Sequence, residues 1–272
     1  MGDDFQRFAA RANEAVYNSG WTEKFVAGAP HLKHRSVRAL FDRLLEDVYQ
    51  RAQAYAAAPR FLDLGAGEGS VTKRLLARGA LVTAIDVSGS QLAELQRKCA
   101  LYHGRLTVRH GALEDVLPQI KDTFDAAIAS ASLHHFADYL GVVRQAIGHL
   151  APHGEFLSFQ DPLRYDSLSG FAKGFDELSY LSWRVFQGDL WGGLRRRLRR
   201  RRGLNPDCAL DNAEYHVLRD GVDQDAIATL LRGAGFDVDI VRYFSTQSGL
   251  LQPLGEMLGI ANTFGIVAKR QP

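Results

Sequence analysis

Cysteine is nearly absent: Cys99 and Cys208 are the only two in 272 residues. Two thiols that far apart make neither a disulfide framework nor a zinc-ligand pattern. Long apolar runs are missing as well. No stretch reaches 18 residues, so no membrane-spanning helix is expected. The chain starts Met1-Gly2-Asp3-Asp4, without the basic and apolar regions of a secretory signal, and a cytoplasmic location is expected. There is no internal repeat. Basic residues are concentrated at one place, Arg195 to Arg202, with seven arginines in eight positions. Taking those seven from the net charge of +2 leaves −5 for the remainder, a balance unlike that of a general nucleic-acid binder. The apolar share of 46% and charged share of 24% suit an ordinary globular chain.

Several elements are legible from periodicity. Residues 5–18 and 35–57 read as helices, with a loop at 19–34 between them. An alternation follows: strand 60–64, helix 70–78, strand 81–86, helix 90–102, strand 105–110, strand 124–130, helix 137–150, strand 154–160. Phe124–Ser130 is almost wholly apolar, as a buried parallel strand should be. Such alternation implies right-handed crossovers, helices on both faces and ligands at the carboxyl edge. The pattern breaks at 161–221 and resumes with helix 223–234 and strands 236–243 and 263–269. Residues 244–262 read as a shorter excursion. Four divisions follow: 1–57 as a helical segment over the site, 58–160 as the cofactor-binding core, 161–221 as a helical lid insertion and 222–272 as completion of the sheet.

The glycine-rich turn Asp63-Leu64-Gly65-Ala66-Gly67-Glu68-Gly69-Ser70 joins the first strand to a helix, where backbone approaches a ligand closely. Asp86 ends the second strand, where a carboxylate can accept both hydrogen bonds of a ribose diol. A dinucleotide fingerprint would need Gly or Ala where Ser70 stands.

With these residues the sequence resembles the class I S-adenosylmethionine-dependent methyltransferases. The first motif matches Asp63, Gly65, Gly67 and Gly69, and the second-strand acid matches Asp86. Further matches run through Ala112-Leu113-Glu114-Asp115, Phe124–Ser130 with Leu133-His134-His135-Phe136, and Leu150-Ala151-Pro152-His153-Gly154. The resemblance covers about residues 55–160 well and 223–269 more loosely. It implies an α/β, Rossmann-like doubly wound fold: a mostly parallel seven-stranded sheet with an antiparallel last strand, a helical N-terminal segment and a lid insertion. It implies S-adenosyl-L-methionine as cofactor. Asp63 and Gly69 belong to its binding motif, Gly65 and Gly67 would lie against the methionine part, and Asp86 on the ribose hydroxyls. Val87 would flank the adenine, Leu113 and Glu114 would sit near its edge, and Ser130 beside the sulfonium.

In related enzymes a helical segment like residues 17–35 closes over the cofactor. Tyr17 and Trp21 could cover the sulfonium by cation–π contact, and a basic group such as Arg35 could meet the cofactor carboxylate. Equally, Tyr17 and Trp21 could be the edge of an amphipathic helix. Methyl transfer needs mainly positioning, and a base where the acceptor is a hydroxyl. His134 and His135 follow the fourth strand, and His135 is the preferred base. One of the pair can instead pack or cap the next helix. No metal is expected, because the spacing of the nearest carboxylates, Asp138 and Asp161, is not diagnostic.

A small-molecule acceptor and O-methylation on a natural-product, sugar or lipid-linked hydroxyl are expected. The alternatives are an N-methyltransferase on RNA or protein and a non-catalytic cofactor-binding regulator. Against the first stands Ser130-Ala131-Ser132-Leu133, which lacks the Asn/Asp-Pro-Pro-aromatic sequence of many N-methylating relatives. The insertion is rich in aromatics, including Phe171, Phe175, Tyr180, Trp183 and Trp191. The arginine run reads as a solvated loop, a contact with anionic membrane, or a phosphate-binding segment. No nucleic acid is expected.

Overall fold

The computed structural model describes residues 11–15, 17, 18, 29–186 and 220–270. Trp21, Trp191 and the arginine run at 195–202 lie outside the described residues.

Residues 11–15 and 17 are helical. A short helix α1 (Pro30–Lys33) falls within the stretch read as loop, and α2 (Arg35–Gln53) follows it. The core then alternates β1 (Arg60–Leu64), α3 (Ser70–Ala77), β2 (Leu81–Asp86), α4 (Gly89–Lys98), β3 (Leu106–His110), α5 (Leu113–Val116), β4 (Phe124–Ser130), α6 (Tyr139–Gly148) and β5 (Leu150–Pro162). Helix α7 (Gly170–Phe186) lies in the insertion; α8 (Gln224–Gly233), β6 (Phe236–Tyr243), α9 (Leu251–Met257) and β7 (Thr263–Arg270) complete the order. The helix expected over 90–102 stops at Lys98, and a 3-10 turn occupies Ala100–Arg105. Strand β5 is longer than expected at both ends, because its partners β4 and β7 supply a ladder across an irregular register.

The sheet order is β3-β2-β1-β4-β5-β7-β6. Strands β1 to β5 pair in parallel, and β7 runs antiparallel to both β5 and β6. From β1 the chain goes outward to β2 and β3, then returns to β4 on the other side. The crossover helices therefore diverge, and a crevice opens above the carboxyl ends of β1 and β4.

Helix α2 covers one face. Its buried residues Val37, Phe41, Leu45, Val48, Tyr49 and Ala52 recur every three or four positions and form one stripe. That stripe meets Phe61, Leu157 and Phe159 of the sheet, with the Phe41 and Phe159 rings 4.8 Å apart. Burying each such aromatic or aliphatic side chain stabilises the fold by about 1.5–3 kcal/mol. Helices α6 and α8 cover the opposite face through Val142, Val143, Ala146, Ile227 and Leu231.

The insertion leaves and re-enters the core at one point. Leu163 and Val222 form a parallel bridge, the Val222 N–H donates to Pro162 O at 3.0 Å, and the Tyr165 N–H donates to Asp220 O at 2.8 Å. Gly221 makes this stem possible. Its φ is +74°, and a Cβ there would stand 2.2 Å from Leu163 O. Gly221→Ala is thus expected to destabilise the protein by about 1–3 kcal/mol and to open the stem. Urea denaturation together with limited proteolysis of the insertion checks this; an unchanged midpoint and cleavage pattern would contradict the account.

Candidate active site

The carboxyl ends of β1, β2, β4 and β5 bring most of the expected site residues to one edge. The turn after β1 is anchored from below. Asp63 is fully buried, and the Thr72 hydroxyl of α3 donates to its Oδ2 at 2.6 Å. The structure therefore places Asp63 beneath the turn, facing α3. Burial, with the nearby Asp86 charge adding to it, pushes the Asp63 carboxyl up to about 7 against the opposing Thr72 bond.

The three glycines do different work. A Cβ on Gly65 would meet Ser132 Cβ at 2.8 Å, and one on Gly69 would meet Leu95 Cγ at 2.9 Å, so both positions are set by packing. Gly67 differs. It has φ +54°, and among the described residues its added Cβ would meet only Gln91 Oε1 at 3.5 Å. Backbone is open to a ligand at that point.

Asp86 closes the other side of the cradle. Its Oδ2 accepts the Gly67 N–H and its Oδ1 the Ser88 N–H, both at 2.8 Å. Each carboxylate oxygen keeps further acceptor capacity for a diol. Burial raises the Asp86 pKa while these N–H bonds lower it. Ser88 caps α4 through Gln91 N, and the His110 ring N–H donates to Val87 O at 3.0 Å. Glu114 is partly buried, and its pKa is raised by that burial. The Leu113 side chain is packed in the core. Ser130 ends β4, and its Oγ is buried with no hydrogen-bond partner among the described residues.

The two histidines part company. His134 Nδ1 lies 2.8 Å from Asp161 Oδ1, and the same oxygen accepts the His134 backbone N–H at 3.1 Å. Asp161 is fully buried and the His134 side chain is 12% exposed. His135 Nε2 is instead hydrogen-bonded to the Tyr17 hydroxyl at 2.9 Å. Asn13 Nδ2 donates to His135 O at 3.2 Å. The N-terminal segment also reaches the start of α4, where Asn18 Oδ1 accepts from the Ser88 and Ser90 hydroxyls at 2.8 Å. Tyr17 thus lies at the site edge against His135. Arg35 is exposed as the first residue of α2. Its neighbours tie this helix to the 246–256 region: Lys33 Nζ donates to Gln247 O and the His34 ring to Thr246 O, both at 2.7 Å.

Sequence reasoning missed three features. Asp161 stood out only as a carboxylate after a strand, not as the partner of His134. Asn13 and Asn18 carry no sequence signal for their contacts, which span 70 residues or more. Gln160 gives no sign that it adopts φ +68°, a left-handed conformation that costs a side-chain-bearing residue about 1–2 kcal/mol. Asp138, the other carboxylate considered for a metal, caps α6 by accepting the Gly141 N–H at 2.8 Å. Among the described residues no group of three or more His, Cys, Asp or Glu side chains is arranged to hold a metal ion. No helix among them is long and apolar enough to cross a membrane.

Residues 61–154 match the family model described as a methyltransferase domain. The match takes in the glycine turn, Asp86 and strand β4, and the sheet order above agrees with it. It is 32% identical over 141 residues to a ubiquinone biosynthesis O-methyltransferase of Xylella fastidiosa (strain 9a5c), covering 52% of this chain and 53% of that protein. The chain thus spans about half the length of the curated relatives it matches. Among solved structures, the [4+2]-cyclase SpnF superposes with a TM-score of 0.60 at 19% identity, over 97% of both chains. Magnesium protoporphyrin IX methyltransferase from Synechocystis PCC 6803, solved with bound SAM, gives 0.56 at 13% identity over 97% of both chains. At these identities the two structures speak for the fold alone.

The buried Asp63 generates a pH prediction. Its folded-state pKa is raised, so its contribution to stability is present below the usual carboxylate pKa and is lost as pH rises through about 7. The urea midpoint of Asp63→Asn should fall less than that of the native chain between about pH 5 and about pH 8. Equal falls would mean that Asp63 does not titrate in this range.

Proposed function

We propose that the chain is an S-adenosylmethionine-dependent methyltransferase that transfers the methyl to a hydroxyl of a small molecule. The observation that carries the reading is the pairing of Asp86 with the open backbone at Gly67. Together they form a cradle with a carboxylate for ribose hydroxyls beside a residue that has no side chain of its own. The cofactor supplies a methyl already activated by a sulfonium.

The protein's own residues then do three things. The Gly67 backbone and Asp86 bind and orient the nucleoside. Ser130 Oγ supplies an unmet polar atom at the end of β4. His134 holds the proton. The Asp161 carboxylate accepts the Nδ1–H, which makes Nε2 the lone-pair nitrogen and favours the charged ring once a proton is taken. In this reading the base is His134, the histidine with a carboxylate partner, while His135 is hydrogen-bonded to Tyr17. His135 then anchors the N-terminal helix over the edge. In the same reading the insertion around α7 acts as the lid and helps select the acceptor. Hydroxyl acceptors are favoured because a base–carboxylate pair is needed for an acceptor that must lose a proton. The O-methyltransferase name of the curated relatives supports this choice.

Two outcomes are expected. Calorimetry with S-adenosylmethionine should show Asp86→Ala weakening binding about 30-fold or more, as loss of a buried charged hydrogen bond implies. Near-native affinity would reject the cradle. Labelled-methyl transfer should fall about 100-fold or more in His134→Ala with cofactor affinity retained, and less in His135→Ala. Full turnover in His134→Ala would return the base to His135 or remove it.

A further inference from the structure

Two neighbouring strand ends each carry a buried oxygen with no hydrogen-bond partner among the described residues: Ser130 Oγ on β4 and Gln160 Oε1 on β5. Ser130 pairs with Phe159 in the parallel register, so Gln160 is the next position along that edge. Every other polar atom of its side chain and its amide is engaged. The Gln160 N–H donates to the Tyr243 hydroxyl at 2.9 Å, and Nε2 donates to Ser245 Oγ at 2.7 Å. The Gln160 backbone is left-handed, at φ +68°, where the β5–β7 register shifts between Phe159 and Asp161. Glycine would take this conformation freely, yet glutamine stands here. Strained backbone of this kind clusters at binding sites. An unmet buried carbonyl oxygen is itself unfavourable until a donor reaches it. The next residue, Asp161, holds His134.

We infer that Gln160 is an acceptor-binding residue that selects compounds with two adjacent hydrogen-bond donors. Its Oε1 accepts from a hydroxyl or N–H beside the group that receives the methyl, while His134 takes the proton of the reacting hydroxyl. The inference rests on the methyltransferase reading. A compound with one donor would leave Oε1 unmet on binding, and sites built around such a hydrogen bond reject the analogue that lacks it. The bulge fixes both functions at once, because the residue that offers the oxygen and the residue that orients the base are consecutive.

Catechol and phenol are a suitable probe pair, titrated into protein saturated with S-adenosylhomocysteine and read by calorimetry. The native chain should bind catechol about 10-fold or more tighter than phenol. Gln160→Met should bring the two within about 3-fold, with the affinity for S-adenosylhomocysteine unchanged. Gln160→Gly should do the same without lowering the thermal midpoint, because glycine suits φ +68° and removes the unmet oxygen. Three results would overturn the assignment: no preference for catechol in the native chain, a preference that survives both substitutions, or a parallel loss of S-adenosylhomocysteine affinity, which marks a structural role. If the native chain does not bind S-adenosylhomocysteine at all, the methyltransferase reading fails first and takes this one with it.

Discussion

The functional edge depends on one topological constraint. Strand β1 is flanked by β2 on one side and β4 on the other, so the chain must leave its first strand, build outward, and return across it. Loops at the switch point diverge, and the crevice between them cannot be filled by the sheet's own backbone. The glycine turn, Asp86, Ser130 and the histidine pair all stand at that opening. The buried Asp63–Thr72 bond fixes how the turn rises from β1, and the Gly67 N–H bond to Asp86 fixes how it meets β2.

Much of this was legible in the sequence for physical reasons. Parallel strands buried on both faces must be apolar throughout, and Phe124–Ser130 announces itself that way. The glycines and Asp86 are readable because few other residues can occupy such positions. Legibility fails where geometry is made by distant partners. The length of β5 depends on its pairing with β4 and β7. The roles of His134 and His135 diverge only because Asp161 and Tyr17 reach one ring each, from positions 27 and 118 residues away. Gln160 looks like any polar residue after a strand until its backbone conformation is known.

Among the described residues, the N-terminal helix meets the strand edge through polar contacts. Asn13 and Tyr17 grip His135, and Asn18 grips Ser88 and Ser90. These bonds join the β4 lip to the β2 lip. Each is worth about 0.5–1.5 kcal/mol.

The stem at Leu163, Gly221 and Val222 has a consequence for how such a chain can change. Its two strands enter and leave side by side, so the cost of closing the loop between them grows only slowly. Doubling its length adds about 0.6 kcal/mol. The part of the insertion after α7 can therefore change length at small entropic cost, whereas α7 itself is tied down by Phe175 on Phe244 and Asp176 on Asn262. In evolutionary terms that part is free to diversify while the strand edge stays as it is.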